Sequence, residues 1–270
     1  MDTSTIAVRS ELENKPVTAI MVELPHGTDR AVRNRPQSTK DQALARSFIY
    51  RFLARAYQVP DPDGWAWLND SSTQSRLWSA IQVFSSNPQS ALKKAGEEFA
   101  LYLGAEDFDS FRKNYFTVFS TGLCKLTEAD YVQPNAPATL QSERLHMLAD
   151  SYRRNRLVPI ARKGERIDHI CFELEFVGAL AAQEASAIGR NDPEAKRCAE
   201  ARTAFLRDHL SRWLPQVTQR VIGVSPSNAF GALARFTAEF LKHEFQTVPK
   251  THRPHKPVRI PALRAVELAR

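Results

Sequence analysis

The chain has 270 residues, 43% hydrophobic and 25% charged, with a net charge of +7, enough for one large or two small domains with an ordinary core. Its three cysteines, Cys124, Cys171 and Cys198, have no CxxC spacing, which argues against a disulfide framework and suits a reducing compartment. No apolar run nears the ~20 residues of a membrane span and no charged-then-apolar secretory pattern opens the chain, so the expectation is a cytoplasmic protein without membrane insertion.

Much of the basic excess lies near the two ends and reads first as solvating tails. A nucleic-acid partner is the weaker reading, because there is no RNP-like segment, zinc-finger spacing or basic repeat interleaved with aromatics. Glycine is sparse, at 10 residues, while Ala, Leu, Arg and Glu dominate the middle, which favours helices.

Residues 1–38 have no sustained period and read as a mostly disordered arm; an apolar patch at 17–24 is a strand or a docking segment. The first helix starts at Thr39, where Thr39 and Gln42 fit a capping box, and ends at Pro60 and Pro62. Trp65, Trp67 and Leu68 open a short element. Leu77, Trp78, Ile81 and Phe84 mark the next helix, and Asn87-Pro88 breaks it. Leu92, Phe99 and Leu103 define another helix, closed by Gly104. The next, over 107–120, carries Phe111, Tyr115 and Val118 and ends near Gly122.

Residues 124–137, within an irregular central loop at about 123–138, have no period, and internal loops of this length are often functional. A helix over 139–155 follows, then a connector. The longest helical pattern covers 164–187, with Ile167, Ile170, Cys171, Leu174, Val177 and Ala181 on one face and Phe172, Phe176 and Leu180 beside them. Such a helix is expected at the centre of the core, with a polar N-terminal end reaching a surface or groove. Asp192-Pro193 starts a helix running towards Trp213, Pro215 kinks or restarts the chain, and Ser225-Pro226 opens the last helix. Residues 247–270 form a basic, Pro-rich tail. No strand pattern emerges, and the expected architecture is an all-α domain over 39–246 with flexible N- and C-terminal tails.

Asp168 reads as a cap or first-turn residue of the central helix, and His169 and Glu173, four apart, can pair along it. As a metal site this pattern lacks a third ligand. No nucleophile elbow, Walker loop, GxGxxG or zincin motif occurs.

Five segments, taken in order, resemble the TorD/DmsD/NarJ family of molybdoenzyme chaperones. Glu165-Arg166-Ile167-Asp168-His169-Ile170, followed by Glu173-Leu174-Glu175-Phe176, is similar to the family's E-x-P-D-H-x-x-x-E-L-E-F. Tyr115, Val118, Phe119 and Gly122 resemble Y-x-x-L-F-x-x-G. Glu128 and Tyr131 resemble the acidic-aromatic motif of the central loop, and Leu148-Ala149-Asp150 with Tyr152 resembles the L-A-D helix and its tyrosine. Phe205-Leu206, His209-Leu210, Trp213 and Pro215 resemble F-L-x-x-H-L-x-x-W-x-P. Ile167 stands in place of proline, and Asn155 in place of the glycine after the tyrosine.

The resemblance implies an all-helical TorD-like chaperone without catalytic turnover or cofactor, a monomer or swapped homodimer. It would bind the twin-arginine leader, or the apo form, of a molybdoenzyme catalytic subunit precursor, assisting cofactor insertion and preventing premature export. The family's aspartate-histidine pair carries over to Asp168 and His169. Glu173 and Glu128 are the further carboxylates suited to arginine, and Tyr131, Tyr152 and Trp78 the aromatics for the leader's apolar stretch. The alternatives are a metal-dependent hydrolase using Asp168, His169 and Glu173, and a basic nucleic-acid-binding protein.

Overall fold

The computed structural model describes residues 6–8, 39–159 and 166–246, with 86, 88 and 133 excepted. The expected arms lie outside the described residues apart from Ile6–Val8, as does the patch at 17–24.

Several helices begin where a short polar side chain accepts the N–H groups that a first turn leaves open. After α1 (Thr39–Ala56), Asp61 accepts from Gly64 N and starts α2 (Pro62–Asn69) with a proline in its first turn. Asp70, Ser90 and Asp107 do the same, each for the N–H three residues on, at α3 (Ser71–Phe84), α4 (Ala91–Ala105) and α5 (Phe108–Phe119). Gly122, at φ 79°, turns the chain out of α5. The irregular interval beyond it contains a single helical turn, α6 (Ala129–Val132), before α7 (Ala138–Arg154). The left-handed residue that ends α7 is Arg156, at φ 57°, and not Asn155, whose φ is −98°.

Two three-residue strands correct the expectation of no strand. β1 (Ile6–Val8) runs antiparallel to β2 (Leu157–Pro159), with Ile6 opposite Pro159 and Val8 opposite Leu157. Strands this short give too few residues for a period-two signal. Apart from one isolated bridge, the remaining regular structure among the described residues is helical.

The central helix, α8 (Ile170–Gly189), starts six residues later than the pattern over 164–187 implies, and its N-cap is His169. The apolar residues expected on it from Ile170 to Ala181 are buried. α8 lies along α1, and Gly178 permits the close approach: a Cβ there would stand 3.2 Å from Tyr50 Cβ and 3.3 Å from the Ser47 carbonyl oxygen. α9 (Glu194–Phe205) covers another side of α8. It continues through a π-helical turn, Leu206–Leu210, into α10 (Ser211–Val224) without a break. Pro215 sits inside α10, so the irregularity expected there lies upstream, in the widened turn.

Asn228 accepts from Phe230 N and Gly231 N at the start of α11 (Ala229–Gln246), which packs on α4 and α10. A buried ionic network joins α11 to three other helices. Glu244 takes Arg46 Nε at 2.8 Å, Arg202 Nη1 at 3.4 Å and the Tyr50 hydroxyl at 3.2 Å, while Arg202 Nε also reaches Glu184 Oε2 at 3.1 Å.

Gly231 is required by space. A Cβ there would stand 1.9 Å from the Ser225 carbonyl oxygen, a backbone atom that cannot swing aside. Gly231→Ala is therefore expected to lose about 2–3 kcal/mol of unfolding free energy, at the upper end for overpacking, as read from urea denaturation midpoints. A loss under about 0.5 kcal/mol would contradict the close approach of these two segments.

Candidate functional site: a carboxylate cluster at the start of the central helix

The central loop is fastened to the segment preceding α8 by backbone hydrogen bonds. Glu128 N donates to the Asp168 carbonyl at 2.9 Å, and Ile170 N donates to the Leu126 carbonyl at 2.8 Å. Thr127 and His169 form the antiparallel bridge between them. This pairing brings Glu128 and Asp168 together although 40 positions separate them in sequence.

Asp168 does not cap α8. Its Oδ2 accepts from Ala129 N at 3.1 Å and so caps the short α6, while Arg166 grips it from the other side. Arg166 Nε meets Oδ1 and Nη2 meets Oδ2, both at 2.9 Å, a two-pronged guanidinium–carboxylate pair. The Asp168 side chain is 3% exposed and that of Arg166 is 41% exposed. The carboxylate is therefore set into the protein and its base comes from the solvent side. The bond to Asp168 raises the Arg166 pKa above its ordinary value.

Glu128 is buried and holds two bases supplied by the fold. Arg144 Nη2 of α7 lies 3.3 Å from Oε1, and His209 Nδ1 lies 3.0 Å from Oε2. His209 belongs to the π turn, a feature that often marks functional sites. Its ring stacks on Phe205 at 4.4 Å. Burial lowers the Arg144 pKa, and the charge of Glu128 opposes that shift.

Glu173, in the first turn of α8, is fully buried. Trp213 Nε1 donates to its Oε2 at 3.1 Å, and its Oε1 has no hydrogen-bond partner. Burial first, and then repulsion from Glu128, drives its pKa well above the carboxylate range; the Trp213 bond opposes this, Asp168 adds to it, and Arg144 opposes it. A carboxyl whose folded pKa is raised favours folding most at pH values below its unfolded pKa. That contribution is lost as pH rises through the ordinary carboxylate range to the folded pKa. Glu173→Gln keeps an acceptor for Trp213 but cannot ionise. It is expected to be about 1–3 kcal/mol more stable than the parent at pH 8 and to match it near pH 4, as read from denaturant titrations across pH. A gap that does not change with pH would contradict a strained, ionisable Glu173.

The other candidates fall in different places. His169 is the N-cap: Cys171 N donates to its Nδ1 at 3.4 Å. The expected hydrogen-bonded pairing of His169 with Glu173 is not made, since Glu173 Oε2 takes Trp213 Nε1 and Oε1 has no hydrogen-bond partner. Tyr131 is nine-tenths buried, donates to the Lys125 carbonyl at 2.9 Å, and packs near Trp213 with the Arg220 guanidinium over its ring. Tyr152 lies behind the cluster, its ring against Phe176 and its hydroxyl donating to the Ile167 carbonyl at 3.0 Å. Burial, then the charges of Glu173 and Glu128, raises its pKa far above the usual phenol range. Trp78 is not part of this assembly: it is an exposed side chain on α3, beside Gly96 of α4.

Four residues complete the cluster that sequence reasoning did not assign to it. His209 and Trp213 were visible as motif positions four apart, which is the spacing of one helical face. Arg166 was visible only as an unassigned position two before Asp168. Arg144 gave no signal, since its partner lies across a non-local contact. Among the described residues no group of three or more His, Cys, Asp or Glu side chains is arranged to hold a metal ion, and each oxygen of Asp168 and Glu128 faces an internal donor. The arrangement suits recognition of a cationic, guanidinium-bearing group.

Residues 86–219 match the family model described as nitrate reductase delta subunit, a stretch that contains every member of the carboxylate cluster. No curated protein and no solved structure matches the chain.

Proposed function

Because the chain belongs to the nitrate reductase delta subunit family, whose members are TorD-like molybdoenzyme assembly chaperones, we propose that it acts on one molybdoenzyme catalytic subunit. It binds the arginine-bearing N-terminal leader or the apo form of that subunit in the cytoplasm, and holds it unexported while cofactor is inserted. The family is one of chaperones and not of catalysts, and this reading assigns the protein no turnover and no resident cofactor.

The observation that carries the reading is the Asp168 carboxylate, inset, oriented by Ala129 N and already paired two-pronged with a guanidinium. A twin-arginine leader presents that same group. His169 stands next to it in the chain, at the head of α8. Glu128, Glu173 and Tyr131 are buried around it, and Tyr152 supports them from behind.

Peptides matching the twin-arginine leaders of the source organism's molybdoenzymes provide the test, titrated calorimetrically into the full chain. One leader is expected to bind at micromolar Kd or tighter, and to lose most of that affinity when both arginines become lysine, which lacks the planar fork. If no leader and no apo subunit binds, the reading fails.

A further inference from the structure

The Arg166–Asp168 pair differs from the other ion pairs around it. Arg144 and His209 reach Glu128 across 16 and 81 residues and tie elements together. Arg166 reaches Asp168 across two residues, within a turn closed by His169 N on the Arg166 carbonyl at 3.1 Å. Swinging the Arg166 side chain outward breaks this pair and separates no helices. The carboxylate would stay oriented, because Ala129 N and the 126–128 bridge hold it independently of Arg166. Beside it lies Glu173, close enough for Asp168 to act on its titration, with a fully buried oxygen that has no partner.

An inset carboxylate left without a counter-charge is strongly unfavourable. A receptor for arginine that stands empty would therefore have to protonate, hydrate or collapse. A locally tethered guanidinium removes the difficulty, since exchange with an incoming one leaves the charge of the site unchanged. Asp130, which already takes Lys125 Nζ at 2.8 Å, adds negative charge on the side of the pair that faces Arg166.

We propose that Arg166 is an internal stand-in for the client's arginine: it fills the Asp168 receptor in the free protein, and the client's guanidinium binds by displacing it. This rests on the proposed function for the identity of the client, but not for the exchange itself. The device sets a threshold, so that an isolated cation competes poorly while a leader that makes further contacts displaces Arg166.

Two probes separate the exchange from the client. In the first, ethylguanidinium at millimolar concentration is added to the full-length Arg166→Ala variant and to the parent, and melting temperatures are compared. The variant is expected to gain several degrees and the parent none, and Arg166→Ala/Asp168→Asn should lose the gain. In the second, the leader peptide is titrated into the parent and into Arg166→Gln, where affinity is expected to rise about tenfold. Should Arg166→Ala not fold, Arg166→Lys keeps the charge without the fork, and the same peptide comparison is expected to show a smaller gain. A parent that binds leader while Arg166→Gln binds it equally or more weakly overturns the stand-in and leaves the proposed function intact. If neither binds leader, the proposed function fails, and the ethylguanidinium result then decides the exchange alone: no gain overturns it.

Discussion

Asp168→Asn is expected to weaken binding of the arginine-bearing leader by 10- to 100-fold, about 1.4–2.8 kcal/mol, while lowering unfolding free energy by about 1 kcal/mol or less. The split follows from the two jobs of the carboxylate. One oxygen accepts from Ala129 N and holds the central loop on the start of α8; an asparagine oxygen can take over that bond. The other job is to face a guanidinium with two charged oxygens, which an amide cannot do. The loss of Arg166 as a partner is discounted, because that side chain is 41% exposed and can return to water. Titration calorimetry and urea denaturation on the same preparation check both halves. Unchanged affinity at normal stability would remove Asp168 from the binding site.

Glu244→Ala is expected to destabilise the fold more than Gly231→Ala or Asp168→Asn, at about 3–5 kcal/mol. Glu244 is fully buried and receives Arg46 from α1, Arg202 from α9 and the Tyr50 hydroxyl. Without it Arg46 keeps its contact over the Phe84 ring but loses its counter-charge, and Arg202 keeps only Glu184. Both guanidiniums would then sit in the core with less compensation than their burial requires. Burial, followed by the charge of Glu244, holds the Tyr50 phenol well above its ordinary pKa. Denaturant midpoints check the loss, which should vary little with salt because buried pairs are weakly screened. A change below about 1 kcal/mol would mean that water reaches the network.

The all-α class was legible because α1, α5, α8 and α11 bury recurrent apolar positions and their neighbours start at recognisable caps. Boundaries were less so. The run over 164–187 reads as helix from its first residue, yet Asp168 and His169 are drawn into pairing with the central loop, so α8 starts only at Ile170. That pairing is non-local and has no periodic signature. The same holds for Glu128, whose motif position was visible but whose bases, Arg144 and His209, were not. His209 is aimed at Glu128 from a π turn, a register change that no three- or four-residue spacing reveals. Trp78 was grouped with the site on residue type alone, and tertiary packing puts it on α3 against α4.

The central claim is that this chain holds one molybdoenzyme precursor through its leader. It is tested most directly by affinity capture of the full-length tagged protein from the cytoplasm of its source organism, with mass spectrometry of what it retains. The account predicts a single molybdoenzyme catalytic subunit with its leader still attached, lost from the Asp168→Asn variant. Recovery of nucleic acid alone, or of a molybdoenzyme retained equally by Asp168→Asn, would contradict it.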